Sequence, residues 1–257
     1  MSNIEQSVTL LRKNKMAQVA ALSDIGFSDV TVATRASEFA KYIKWSAGLL
    51  DITVAAVHKT TGEKFYFTIP EWTEQLSETN KAKLLVRGLR IRANKLSFIM
   101  SFIAQSSLQW TTTATNITAQ TDTGSRAGLW DTTNALELTK TIYNHWSDGD
   151  VHAPAANVTR FYKAFTQDID GRDDTTEWCL PCVAHLMVMY RHKAAIDAAI
   201  MAVKGDAAFK LNMALHWTCQ EYSTDAAWQV NLANGFVYTN SKTEISATRY
   251  VRPIALD

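Results

Sequence analysis

The chain has 257 residues, 47% of them hydrophobic and 10% aromatic, with 26 Lys and Arg set against 25 Asp and Glu for a net charge of +1. Such a length and apolar content support a sizeable buried core, while the balanced charge gives nucleic acid and anionic membranes no electrostatic hold. Three cysteines cannot build a disulfide framework, no apolar run approaches membrane-span length, and the N-terminus places Glu5 before its first apolar stretch and its basic residues after it, the reverse of a secretory signal. A soluble product of a reducing cytoplasm is expected.

In chain order, residues 3–24 and 33–50 carry helical periodicity, with Ala36, Phe39, Ile43 and Leu50 near one face. Residues 1–50 are therefore assigned to a helical assembly segment and 51–257 to the main domain. Two β-rich runs flank Thr60-Thr61-Gly62 and predict a hairpin. Pro70 suits a first helical position and a short amphipathic helix after it. A second hairpin is predicted across Ala93-Asn94-Lys95, with Leu89 and Ile91 alternating against Arg90 and Arg92. Residues 105–128, rich in Thr, Ser and Gln, read as a long surface loop or polar edge. Helices are predicted at 131–146 and 155–166, with a connection between them.

In the C-terminal third, a short strand at Trp178-Cys179-Leu180 precedes a helix opened by Pro181 and running to about Val203. A strand follows around Trp217, then a hairpin about Asn234-Gly235, a dipeptide that supplies the positive φ of a tight turn. A last strand contains Arg249, Arg252 and Pro253. Strands gathered around a few helices without βαβ alternation indicate an α+β fold.

The order W-x-L-P at Trp178, Leu180 and Pro181, a helix, W-T-x-x-E-Y at Trp217 to Tyr222, Trp228, Asn234-Gly235 and R-Y-V-R-P at Arg249 to Pro253 resembles the Fib-succ-major family. The resemblance extends over roughly residues 50–257. It implies a C-type-lectin-like domain with antiparallel hairpins and two or more helices, as found in bacterial surface proteins and phage fibres. Trp178, Leu180, Pro181, Trp217, Trp228, Gly235, Arg249 and Arg252 would be its structural signature, the two arginines tying irregular loop carbonyls or a carboxylate to the last strand.

Several residue groups suggest chemistry. Cys179 and Cys182, in C-x-x-C spacing at a strand-to-helix junction, fit a redox dithiol. With His185, and Cys219 or His216 as a distant fourth ligand, they fit zinc. No thioredoxin-like βαβ pattern surrounds them, so passive packing is expected, with no catalytic residue, metal or cofactor. His185 and His192 share a helix face with Met189 between them, a stripe read as an interface rather than a metal site. Asp168, Asp170, Asp173 and Asp174 miss the EF-hand spacing and read as a solvated acidic loop.

The functional expectation is a non-enzymatic phage virion protein assembled in the host cytoplasm. Its partners would be other virion proteins, further copies of itself and a host surface glycan or protein, with no nucleic acid and no membrane insertion. Gln220, Glu221, Tyr222, Asp225, Tyr238 and Asn240 would form its binding rim. The alternatives are a bacterial surface adhesin of the same family and a cysteine- or metal-dependent enzyme.

Overall fold

The computed structural model describes residues 50–93, 96–117, 135–147, 149–160 and 178–254. The helical readings of 3–24 and 33–49, the acidic stretch 168–174 and the later parts of 105–128 and 155–166 lie outside them.

Eight strands form one mixed sheet: β1 Asp51–His58, β2 Lys64–Thr68, β3 Leu84–Ala93, β4 Leu96–Gln109, β5 Leu215–Glu221, β6 Ala226–Asn231, β7 Val237–Ser241 and β8 Ile245–Pro253. Their order is β2-β1-β3-β4-β8-β5-β6-β7. Every pairing is antiparallel except β5 with β8, which run parallel at His216 and Ala247. The helices are short: α1 Glu78–Lys81, α2 Ala135–Asn144, α3 Gly149–His152, α4 Pro154–Arg160, α5 Val183–Arg191 and α6 Lys193–Lys204.

This architecture overturns the expected α+β C-type-lectin-like fold. The predicted hairpins are present, but they do not decorate a loop-dominated domain. β4 and β8 pair over much of their length and join the N-terminal four strands to the C-terminal group in a single sheet. That junction links residues about 150 positions apart, so no local pattern announces it.

Cross-strand rows explain the sequence pattern. Phe67, Val54, Leu89, Met100 and Val251 are successive register partners across β2, β1, β3, β4 and β8, and each is at most 1% exposed. Burying each such side chain contributes about 1.5–3 kcal/mol, and the row forms the spine of the main core beneath α5 and α6. The neighbouring row, Thr68, Thr53, Arg90, Ile99 and Arg252, belongs to the opposite face because side chains alternate along a strand. That face is also covered: Ala55, Ile99, Trp178 and Tyr250 make a second, smaller cluster, and Arg90 and Arg92 are only 6% and 5% exposed. The alternation of Leu89 and Ile91 with Arg90 and Arg92 thus separates two buried faces, with the Arg90 guanidinium 4.1 Å above the Tyr66 ring.

Local departures have local causes. The helix predicted after Pro70 is a five-residue π turn, Glu71–Gln75, followed by the single turn α1. Thr68 and Glu71 hold its start, each backbone N–H donating to the other's side chain. The helix opened at Pro181 breaks at His192 (φ −109°, ψ 18°), and α6 ends on left-handed Gly205. Residues 105–109 continue β4 rather than forming a surface loop, and Trp110 and Ile117 beyond them are fully buried.

Candidate contact surface and cysteine cluster

The predicted rim divides in two. Gln220 and Glu221 are 2% and 1% exposed, so they lie beneath the surface and not on it. The Gln220 side-chain oxygen accepts the Val183 N–H at the start of α5. Glu221 pairs with Lys242, whose side chain is fully buried. The Lys242 ammonium also donates to the Thr115 and Thr224 carbonyls at 2.7 and 2.8 Å and lies 5.1 Å from the Trp110 ring centre. Glu221 Oε1 accepts the Ile117 N–H at 3.1 Å. The pair therefore pins residues 110–117, the turn before β6 and the turn after β7 to one point. Sequence reasoning missed Lys242 because an isolated lysine after a strand ordinarily signals solvent.

On the surface remain Asp225, half-buried Tyr222 and Asn240, and exposed Tyr238. Tyr222 packs edge-on against Trp228 at 5.1 Å, and Asn240 Oδ1 accepts the neighbouring Ser241 N–H. Phe236, absent from the sequence-based rim, is 61% exposed and sits 6.1 Å from the Tyr238 ring, itself 41% exposed. Both belong to the hairpin that ends in β7, the last strand of the sheet, presented there by the Asn234-Gly235 turn. Gly235 has φ +73°, and a Cβ on it would fall 2.3 Å from the Tyr190 ring.

The signature residues are structural supports. Trp178, Leu180, Pro181, Trp217, Trp228, Arg249 and Arg252 are all buried. The indole N–H of Trp217 donates to the Leu108 carbonyl and that of Trp110 to the Thr218 carbonyl, each at 2.7 Å, stitching the end of β4 to β5. Arg249 donates to the Ser101 and Phe102 carbonyls, where β4 bulges, and to the Phe209 and Lys210 carbonyls after α6.

Cys179, Cys182 and Cys219 come together in the main core as free thiols. Burial pushes Cys179 and Cys219 well above the ordinary thiol value. Burial opposes ionisation of Cys182 as well, but hydrogen bonds with Cys219 and His185 outweigh it and hold that thiol low. Cys182 Sγ lies 2.9 Å from His185 Nδ1, which also accepts the Cys182 backbone N–H and so caps α5. His185 is thus committed to the helix start, and the edge of its ring meets Phe98 at 4.7 Å. His192, half-buried at the break between α5 and α6, lies outside this cluster. Among the described residues no group of His, Cys, Asp and Glu is arranged to hold a metal ion. With Cys182 1% exposed, 5,5′-dithiobis(2-nitrobenzoate) should label none of the three thiols in native protein and all three in guanidinium. Rapid native labelling of Cys182 would return the dithiol chemistry to consideration.

His216 offers a second test. It is fully buried, its Nδ1 is 2.9 Å from the Ala214 carbonyl, and burial lowers its pKa to about 4 from 6.5. A histidine held neutral by the fold contributes stability that is complete above the unfolded pKa and is lost as pH falls from 6.5 towards 4. The loss across that window should be on the order of 3 kcal/mol. Urea titrations at a series of pH values should show it in the wild type and not in His216→Phe.

No protein-family model matches the chain, and no curated protein matches it. One similar solved structure is a fimbrial protein from Bacteroides ovatus ATCC 8483, with 10% sequence identity and a TM-score of 0.44; the likeness covers 73% of this chain and 39% of that one. The chain thus spans well under two thirds of that protein's length, and a likeness of this size carries no functional inference.

Proposed function

We propose that the protein is a non-enzymatic structural and adhesive protein that works by contact, joining further copies of itself through the β7 edge. The observation that carries this reading is the composition of that edge. Exposed sheet edges are normally blunted by charge or proline, because unpaired backbone groups recruit other strands. β2, at the opposite edge, has the same length as β7 but begins with exposed Lys64. β7, Val-Tyr-Thr-Asn-Ser, has neither charge nor proline, and it follows directly on exposed Phe236. Among the described residues no strand pairs with the outer side of β7, and an edge armed with two aromatic rings suits a subunit contact. Of the two settings expected from the sequence, we take the surface adhesin ahead of the virion component.

Sedimentation of the wild type should show concentration-dependent association that Phe236→Asp with Tyr238→Asp abolishes, without lowering the unfolding midpoint. A wild type that stays monomeric at high concentration, or a double variant that assembles equally well, would refute the edge as a self-contact.

A further inference from the structure

The hydrogen bonds around β7 fix which of its backbone groups face the free side. The Asn231 N–H donates to the Phe236 carbonyl at 3.0 Å and the Lys242 N–H to the Asp225 carbonyl at 2.8 Å, at the two ends of an unbroken β6–β7 register. Opposed residues of an antiparallel pair alternate between hydrogen-bonded and non-hydrogen-bonded, and counting from either end gives the same phase. Phe236, Tyr238, Asn240 and Lys242 therefore turn their N–H and C=O towards β6. Val237, Thr239 and Ser241 turn theirs away from the sheet.

Ser241 closes one end of that outward row. Its N–H donates to Asn240 Oδ1 at 2.9 Å, and its carbonyl accepts the Glu244 N–H at 3.0 Å. The open row is then Val237 and Thr239, each with one donor and one acceptor, and such a row is complementary to itself. With a second copy antiparallel and the two Tyr238 residues opposed, Val237 faces the partner's Thr239 and Thr239 faces the partner's Val237. All outward groups of the row are then matched, in four N–H to C=O bonds about a two-fold axis. A register centred on Val237 or on Thr239 pairs only one of the two residues.

The side chains agree with that axis. Phe236 and Tyr238 share one face of the strand, both exposed, with their rings 6.1 Å apart. About an axis at Tyr238 the two tyrosines become the close, non-hydrogen-bonded cross-strand pair, and each Phe236 becomes the diagonal neighbour of the partner's Tyr238. Four rings then join in one stripe. β7 carries no charge, so no like charges meet across the contact, whereas β2 opens with exposed Lys64. We propose that β7 binds β7 of a second copy, antiparallel about Tyr238, so that two eight-stranded sheets continue as one in a closed dimer. This dimer rests on the reading of β7 as a self-contact and names the partner strand, the register and the copy number. A contact this small belongs with transient interfaces, so the dimer should be concentration-dependent.

Sedimentation of the full chain over a range of concentrations should show monomer and dimer with nothing larger. Thr239→Pro removes an outward N–H without touching the β6 ladder, so it should keep the unfolding midpoint and weaken the dimer roughly tenfold. Thiol trapping reads the register independently: two thiols join as a disulfide while glutathione disulfide is reduced to two glutathione thiols. The native cysteines, at most 1% exposed, stay out of the reaction. Tyr238→Cys places two thiols on Cα atoms about 4.5 Å apart, within disulfide reach, and should give covalent dimers. Thr239→Cys places them on Cα atoms about 8 Å apart, beyond that reach, and should not. Open-ended growth, an unweakened Thr239→Pro dimer, or coupling of Thr239→Cys in preference to Tyr238→Cys would overturn the two-fold register. The self-contact itself stands in those cases if Phe236→Asp with Tyr238→Asp still abolishes association. A wild type that is monomeric throughout overturns both.

Discussion

Lys242→Met is expected to destabilise the protein by about 3–5 kcal/mol, the cost of leaving one member of a buried ion pair without its partner. The lysine is fully buried, and Glu221, its counterion, is 1% exposed. Removing the ammonium takes away the counterion of a carboxylate deep in the fold, one that also accepts the Ile117 N–H, and strands the Thr115 and Thr224 carbonyls as well. The damage should be regional as well as global, because the pair ties three separate chain segments together. Amides of 110–117 and 223–226 should lose hydrogen-exchange protection ahead of β1–β3. Replacing both partners, Glu221→Leu with Lys242→Met, should recover most of the loss, since apolar groups of matching volume leave no charge unpaired. Urea unfolding of the two variants decides the matter: a single variant within about 1 kcal/mol of wild type, or a double variant no better than the single, would mean the pair is not the anchor described.

Gly88→Ala is the second large effect, about 3 kcal/mol, the upper end of what overpacking ordinarily costs, because the clash is with backbone. A Cβ at this position would lie 2.1 Å from the Met100 carbonyl oxygen and 2.9 Å from the Ile99 side chain. A side chain can rotate away, but the carbonyl belongs to β4, so β3 and β4 would have to part by more than an ångström. That separation would stretch the ladder that begins at Leu89 and Met100 and disturb the bulge at Arg87. Thermal unfolding should register the loss directly. An Ala variant with wild-type stability would show that the two strands are less closely apposed than described.

Much of the local structure was legible. The hairpins at Thr60-Thr61-Gly62, Ala93 to Lys95 and Asn234-Gly235 follow from turn chemistry between β-branched runs, and each joins strands that pair in the fold. The Cys179 strand is present as a bridge to Val251. The contact surface was only partly legible. Tyr238 and Asp225 are exposed as residue type and turn position suggest, whereas Glu221 and Gln220 look like surface residues in any local window. Their burial depends on Lys242 and on the start of α5, partners that approach from elsewhere in the chain. Ser and Gln at 105–109 left a surface loop and a polar edge equally open, since an exposed stretch of strand and a polar loop share a composition; the structure makes them the end of β4.

The sequence by itself determined the turns, the strand-forming runs, the helix starts at Pro181 and its neighbours, and the residue types of a core rich in tryptophan. These depend on φ preferences, side-chain branching and spacing, all of which act within a few residues. Only the tertiary structure decided that four strands before residue 110 and four after 214 close into one sheet, that two faces of it are covered, and that the edge strand exposes its aromatics. Strand partners are chosen by packing and backbone hydrogen bonding between distant segments, and that choice overrode the expected lectin-like arrangement of the same local pieces.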